Sequence, residues 1–511
     1  IHSDAHARET ILAQDPARIR GFVAQDKGLA PYAFFLEDVL RWKPHTLGAG
    51  EERVIAEASS FGSAGRDVSG VLRDADIPWP TVKLSTGEEA RLDPSGYGLH
   101  RAAPVAADRE RVFDAFYGTL AEYQRTLGAS LYATVKSHIF EKNVRGFDSS
   151  LEAALFGNAI PPAVYRQLLS DVRRSLPTLH RYLAVRKRML GLERLRYQDL
   201  YVPIVPSAEM RFDPEEARAL TLAAVAPLGP EYVSGLKKGF ESGWTDYLPS
   251  TGKRSGAYST GVWGVHPYQL LNFNGRYDDL STLAHESGHS MHTWLASAAQ
   301  PYPTADYSIF VAEVASTLNE NLLLHHMLGK AKDDATRLFL LGSSLDTMRT
   351  TLFRQTQFAE FELAMHEKAE KGETLTGENL SKLYLEVTRR TYGHDAGVCE
   401  VPDLVATEWA FIPHFHMNFY VYQYATSLVA AMTFAKAIRD EAPKGGTRAR
   451  DAYLRLLRSG GSKFPIDLLR EAGVDMTTSK PFDAAMAEMN AIMDQMEKIL
   501  ARQGKGKGAK R

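Results

Sequence analysis

Residues 285–289 read His-Glu-Ser-Gly-His. Two histidines four apart on a helix stand one turn apart on the same face, so both imidazoles reach one metal ion while Glu286 projects beside them. A zinc ion held this way, with a carboxylate next to its water, is the equipment for hydrolysing a peptide bond. From Ser281 to Ser297, Leu283, Met291, Trp294 and Leu295 recur among small residues, with no proline and with Gly288 as the single glycine. That pattern predicts a helix packed on a core, not a loop.

A catalytic zinc needs a third protein ligand and an open position. The metzincin continuation would place Gly and His three and six residues after the second histidine, where this chain has His292 and Leu295, so that class is excluded. The remaining common option is a glutamate from a later helix. Tyr307 to Leu328 reads as such a helix, with Phe310, Val314, Leu318 and Leu322 on a buried stripe and Gly329 as its expected stop. It carries Glu313 and Glu320, seven apart and nearly superposed around the axis, so one can bind metal while the other braces a ligand. The oxyanion formed during hydrolysis needs further donors, and His414, His416, Tyr420, Tyr422 and Tyr424 are clustered candidates.

Taken with its surroundings, the motif resembles a known family. His285-Glu-Ser-Gly-His289-Ser-Met-His292 followed by Val311-Ala-Glu313-Val-Ala-Ser-Thr-Leu-Asn-Glu320 is similar to the thimet oligopeptidase and oligoendopeptidase F family of zinc metallopeptidases. Lys253-Arg-Ser-Gly-Ala-Tyr258, His266-Pro-Tyr-Gln-Leu-Leu-Asn-Phe-Asn-Gly275 and His414-Phe-His-Met-Asn-Phe-Tyr-Val-Tyr-Gln-Tyr-Ala425 point to the oligoendopeptidase F branch. Weaker echoes at Arg41-Trp-Lys-Pro-His-Thr-Leu47 and Tyr197-Gln-Asp-Leu-Tyr201 extend the likeness over nearly the whole chain. The resemblance implies one Zn2+ per chain on His285, His289 and Glu313, with Glu286 as general base. It also implies a histidine and tyrosines placed over the metal, Tyr422 first, then His414 and Tyr420. Oligopeptides are the implied substrates, cut at internal bonds within a two-lobed, zincin-like body that encloses a deep channel. A metallo-exopeptidase such as a carboxypeptidase, or a non-catalytic peptide-binding helical protein, are the competing readings; loss of the motif glutamate would favour the last, and Glu286 is present.

Helical patterns dominate the elements that must position these residues, so the fold class is mostly α with a small sheet beside the motif helix. Asp213-Pro-Glu-Glu216 is a helix start, with an aspartate cap and proline in the first position. Amphipathic stretches cover 108–137, 164–190 with a break at Pro177, 335–371 and 419–439, and strands are expected at 81–83 and 268–273. The strand Tyr268 to Phe273 fits an ordinary sheet strand and equally an edge for pairing with substrate backbone, and Ser255-Gly256-Ala257-Tyr258 reads by default as a plain turn, with a flexible loop closing over substrate as the alternative. The provisional division is a helical N-terminal lobe at 1–105, a catalytic unit at 106–503 and a disordered basic tail at 504–511.

Other signals carry less. Gly252-Lys253-Arg254 is no phosphate loop, since Tyr247 and Arg254 stand where that motif needs Gly and Ser or Thr. His325 and His326 point about a hundred degrees apart on a helix and cannot readily share a metal, His292 reads as a packed structural histidine, and Met486, Met489, Met493 and Met496 form a core stripe of a terminal helix. A net charge of -2 indicates no affinity for nucleic acid or acidic membranes, and no apolar run is long enough to span a bilayer. The single Cys399 permits no internal disulfide and fits a cytoplasmic setting, while the start at Ile1 leaves room for a leader removed before it. No oligomeric state can be read from the sequence.

Overall fold

A computed structural model of the chain describes residues 2–205 and 210–508. It is mostly α-helical, and the strands of the described residues form a two-stranded and a three-stranded sheet. Strands β1 (Thr81–Lys83) and β2 (Glu89–Arg91) make an antiparallel hairpin far from the motif in sequence. The other sheet holds β3 (Thr245–Asp246), β4 (Tyr258–Thr260) and β5 (Tyr268–Leu270) in the order β3-β5-β4. No described helix is long and apolar enough to cross a membrane.

Three helices surround the motif. The motif helix, Tyr277–Ala299, starts where Arg276 N–H donates to Asp279 Oδ2 at 2.9 Å, and Asp278 and Asp279 sit where a helix N-terminus favours negative charge. Its inner face buries Leu280, Leu283, Ala284, Met291 and Leu295. Each large apolar side chain there contributes about 1.5–3 kcal/mol of burial. The carboxylate helix, Ile309–Lys330, is capped by Ser308 Oγ accepting from Phe310 N–H at 3.2 Å. It runs on through Gly329 to Lys330, because burial of Leu322, Leu323, Met327 and Leu328 outweighs the weak helix propensity of one glycine. The tyrosine helix, Tyr422–Glu441, lies against the carboxylate helix, and Ser427 Oγ donates to Phe310 O at 3.2 Å.

Elsewhere the expected helices appear with shifted breaks. Asp213 caps Pro214–Ala224 by accepting from Glu216 N–H at 2.8 Å. The stretch 108–137 divides into Ala106–Glu122 and Gln124–Val144 at Tyr123, and 164–190 divides at Ser175, which leaves Pro177 inside the first turn of Leu176–Met189 where its missing N–H costs nothing. The stretch 335–371 contains a π-helical segment, Met348–Arg354, between Asp334–Thr347 and Gln355–Glu370. The terminal helix Lys480–Gly508 buries the methionine stripe and continues into the segment expected to be a tail; residues 509–511 lie outside the described ones.

Candidate active site

The motif and carboxylate helices cross at Gly288. A Cβ there would lie 2.4 Å from Ala315 O and 2.6 Å from Ser316 Cα, so glycine is what lets the backbones approach. A polar brace crosses the same contact: Asn319 Nδ2 donates to Ala284 O at 3.1 Å while Tyr232 OH donates to Asn319 Oδ1 at 3.1 Å. This crossing sets the distance between the histidines on one helix and the glutamates on the other.

Around it, Glu313 Oε2 stands 3.4 Å from His285 Nε2 and 3.5 Å from His289 Nε2. The three donor atoms lie within 4.8 Å of one another, a spacing that one ion spans. Glu320 Oε1 accepts from His285 Nδ1 at 2.9 Å, which orients the ring with Nε2 toward Glu313. Ser316 Oγ donates to Glu313 Oε2 at 2.9 Å. Burial alone would lower the His285 pKa, yet its bonds to Glu313 and Glu320 carry it up to about 10. Burial would likewise raise Glu313, but the two histidines hold it well below the usual carboxylate range. The cluster is therefore built to hold positive charge, as a divalent metal would supply, and the donor set of two nitrogens and one carboxylate suits zinc.

Glu286 lies beside this group, 5% exposed, and its Oε2 is buried with no hydrogen-bond partner. Burial raises its pKa against the pull of His285 and His289, and the charges of Glu313 and Glu320 add to the rise. An unpartnered buried carboxylate next to a cation site is poised to take a proton. His292 is a packed residue, held neutral by burial with a pKa lowered to about 3, its ring stacked on Tyr307 at 3.5 Å. Tyr307, which sequence reasoning did not single out, shares a 2.8 Å bond with Thr293 Oγ1 and donates to His289 O at 3.5 Å. His325 pairs with Glu488 at 3.3 Å, on the terminal helix.

The His-Tyr cluster separates into two groups. His414, Tyr420 and Tyr424 keep together: the His414 ring is 6.0 Å from each tyrosine ring, and the two tyrosines meet edge-on at 5.5 Å. Burial raises the Tyr424 pKa, Tyr420 adds to the rise, and the charge of Glu313 contributes least. Tyr422, the first choice from sequence, instead turns into the core, 1% exposed, with rings of Tyr165 at 5.0 Å and Phe310 at 6.1 Å. Two residues along a helix rotate a side chain by about 200°, so Tyr422 and Tyr424 cannot face one site. His416 also points elsewhere, its Nδ1 2.8 Å from Thr134 Oγ1. The turn between His414 and the tyrosine helix passes through Asn418 and Phe419 at φ 44° and 57°, left-handed conformations that cost about 1–3 kcal/mol each for residues with side chains.

In the three-stranded sheet, β5 is paired on both sides, parallel with β3 (Thr245 opposite Gln269) and antiparallel with β4 (Ser259 opposite Gln269), so the edges of this sheet are β3 and β4. β4 lies along the motif helix, where Ser259 Oγ and Gln269 Nε2 meet Ser290 Oγ at 2.8 and 2.7 Å. The turn at Ser255–Tyr258 is held by Asn272, whose Nδ2 donates to Arg254 O at 3.0 Å and Gly256 O at 2.8 Å.

Comparison with known proteins places this geometry in context. The model of peptidase family M3 matches residues 99–488, and the oligopeptidase F model matches residues 10–78. The chain is 40% identical to oligopeptidase PepF of Bacillus subtilis over 96% of its own length and 72% of that protein's. It is 38% identical to group B oligopeptidase PepB of Streptococcus agalactiae, over 96% and 80%. Among solved structures, a protein from Chlamydophila abortus superposes with a TM-score of 0.90 at 34% identity, covering 97% of this chain and 82% of the other. Oligoendopeptidase-F from Enterococcus faecium superposes with a TM-score of 0.79 at 32% identity, covering 97% and 83%.

Proposed function

The chain belongs to peptidase family M3 as a metalloendopeptidase of the oligoendopeptidase F kind, and from that premise we propose that it cuts internal bonds of short oligopeptides with one zinc ion on His285, His289 and Glu313. The observation that carries this is the approach of Glu313 Oε2 to both imidazole Nε2 atoms, at 3.4 and 3.5 Å. Zinc, when bound, polarises the scissile carbonyl and brings the pKa of water to about 7.

The chain's own residues do the rest. Glu286, with a free buried oxygen and a raised proton affinity, takes the proton of the attacking water and then hands it to the leaving amine. Glu320 fixes the His285 ring through Nδ1. Tyr424, with His414 and Tyr420 packed against it, supplies donors for the oxygen that becomes negative as the carbonyl is attacked. The free edge of β4, laid along the motif helix, is suited to pair with substrate main chain and so to tolerate varied side chains. The sole cysteine, Cys399, is buried and free, in keeping with a cytoplasmic enzyme.

Digestion of a mixed peptide library followed by mass spectrometry tests the substrate class: internal cuts in peptides of about ten residues are expected, and removal of single terminal residues would instead identify an exopeptidase. Metal analysis of Glu313→Ala tests the ligand set, since one zinc per chain retained in that variant would move the third ligand elsewhere.

A further inference from the structure

Asn418 and Phe419 hold left-handed conformations, and neither is glycine. Such a pair persists only where its surroundings determine it. The determinant here is a clamp on Phe419 built from the helix Gln355–Glu370. Glu362, wholly buried on that helix, accepts from Phe419 N–H through Oε1 at 2.6 Å, and its Oε2 is buried without a partner. The Phe419 ring packs against Tyr165 at 5.6 Å and His366 at 4.5 Å. His366 is itself fixed, with Nδ1 2.8 Å from Glu362 O and Nε2 3.0 Å from His138 Nδ1.

A buried carboxyl is a costly way to provide one acceptor, and burial pushes Glu362 up to about 8, so at neutral pH it is mostly protonated and acts through its oxygen, not its charge. Phe419 immediately precedes Tyr420, lies five residues before Tyr424 and five after His414. The turn joins the short segment that carries His414 to the helix that carries Tyr424, with Tyr420 directly after it.

We propose that Glu362 is a positioning residue: by holding Phe419 N–H it sets the turn that aims His414, Tyr420 and Tyr424 at the substrate oxygen over the His285–His289–Glu313 group. The inference rests on the donor role given above to that trio. It requires Glu362 to act on the transition state, through kcat, and not on substrate binding or metal content.

The test is steady-state kinetics on an internally quenched peptide, with zinc content, for Glu362→Gln, Glu362→Asp, Glu362→Leu and Tyr424→Phe, and for the last two combined. Gln keeps an acceptor in place and should retain at least about half of kcat, whereas Asp withdraws it by one methylene and Leu removes it, each costing about tenfold or more in kcat with KM within about twofold. Zinc should stay at one per chain. In the Tyr424→Phe background, Glu362→Leu should cost clearly less in kcat than it does in the wild-type background, because part of its effect runs through Tyr424. A variant order with Asp active and Gln impaired, a loss confined to KM, or losses that multiply would overturn the inference. Where the leucine variant does not fold, the order of Gln and Asp decides. Full activity in Tyr424→Phe would overturn the donor assignment and this inference with it; full activity in Glu362→Asp and Glu362→Leu beside an impaired Tyr424→Phe would overturn this inference alone.

Discussion

Gly288 is the position where one methyl group should disable the site without touching a ligand. In Gly288→Ala the new Cβ would meet Ala315 O at 2.4 Å and Ser316 Cα at 2.6 Å, both backbone atoms that no rotamer change can move. An ordinary contact is about 3.5 Å, so the motif and carboxylate helices must part by roughly 1 Å. Overpacking of this kind costs about 1–3 kcal/mol. At about 2.1 cal/mol/K of unfolding entropy per residue, a cooperative chain of this length would lose only about 1–3 °C in Tm. The functional loss should be far larger. Glu313 is carried by the displaced helix and both histidines by the other, so the gap opens between the proposed metal ligands, which now stand 3.4–3.5 Å apart. Misplacement by about 1 Å is worth about a hundredfold in turnover, and zinc affinity should fall alongside. Calorimetry, zinc titration against a competing chelator and peptide turnover on the same preparation separate the two effects. A Gly288→Ala enzyme with wild-type zinc affinity and kcat would refute the claim that this crossing sets the ligand geometry.

Tyr424→Phe should lower kcat by about 10²–10³ with zinc retained, while Tyr422→Phe, inside the core, should leave kcat within about threefold; steady-state kinetics showing the reverse order would restore the sequence-based choice of Tyr422. Glu320→Ala should weaken zinc binding by about 10–100-fold without emptying the site at saturating zinc, and an unchanged affinity would remove Glu320 from the metal centre. Acid sensitivity follows from histidines that burial keeps neutral, His138 and His292 with pKa values lowered to about 3 and His366 and His416 to about 4. Their folded pKa lies below the unfolded value of about 6.5, so the unfolded chain binds more protons, and the stability they contribute is complete above about pH 6.5 and falls as pH drops toward 4, outweighing the opposite contribution of Glu362, whose pKa burial raises to about 8. A Tm that stays flat between pH 6.5 and 4 would contradict this.

What could be read from the sequence is what depends on spacing within one element. The i, i+4 histidines and the pair Glu313 and Glu320 need only the helical repeat, and the structure brings His285, His289, Glu313 and Glu320 together. The tyrosines needed more: Tyr422 turns into the core, and the helix that carries it starts just after the left-handed turn at Asn418 and Phe419, which neither residue signals as a glycine would. β4 escaped notice because it is three residues long with two of them exposed, so it has no alternation to detect, and the edge role was weighed for the more apolar β5. Gly288 stood out as the lone glycine of its helix, but its function belongs to the neighbour it meets, which no local pattern reveals. Glu362 looks like any helical glutamate until its burial is known.

The central claim, that Glu286 moves the proton while His285, His289 and Glu313 hold the metal, is tested most directly by measuring zinc content and peptide turnover together in Glu286→Gln. The account predicts one zinc per chain and turnover reduced by about 10²–10⁴. Full turnover with zinc in place would contradict it.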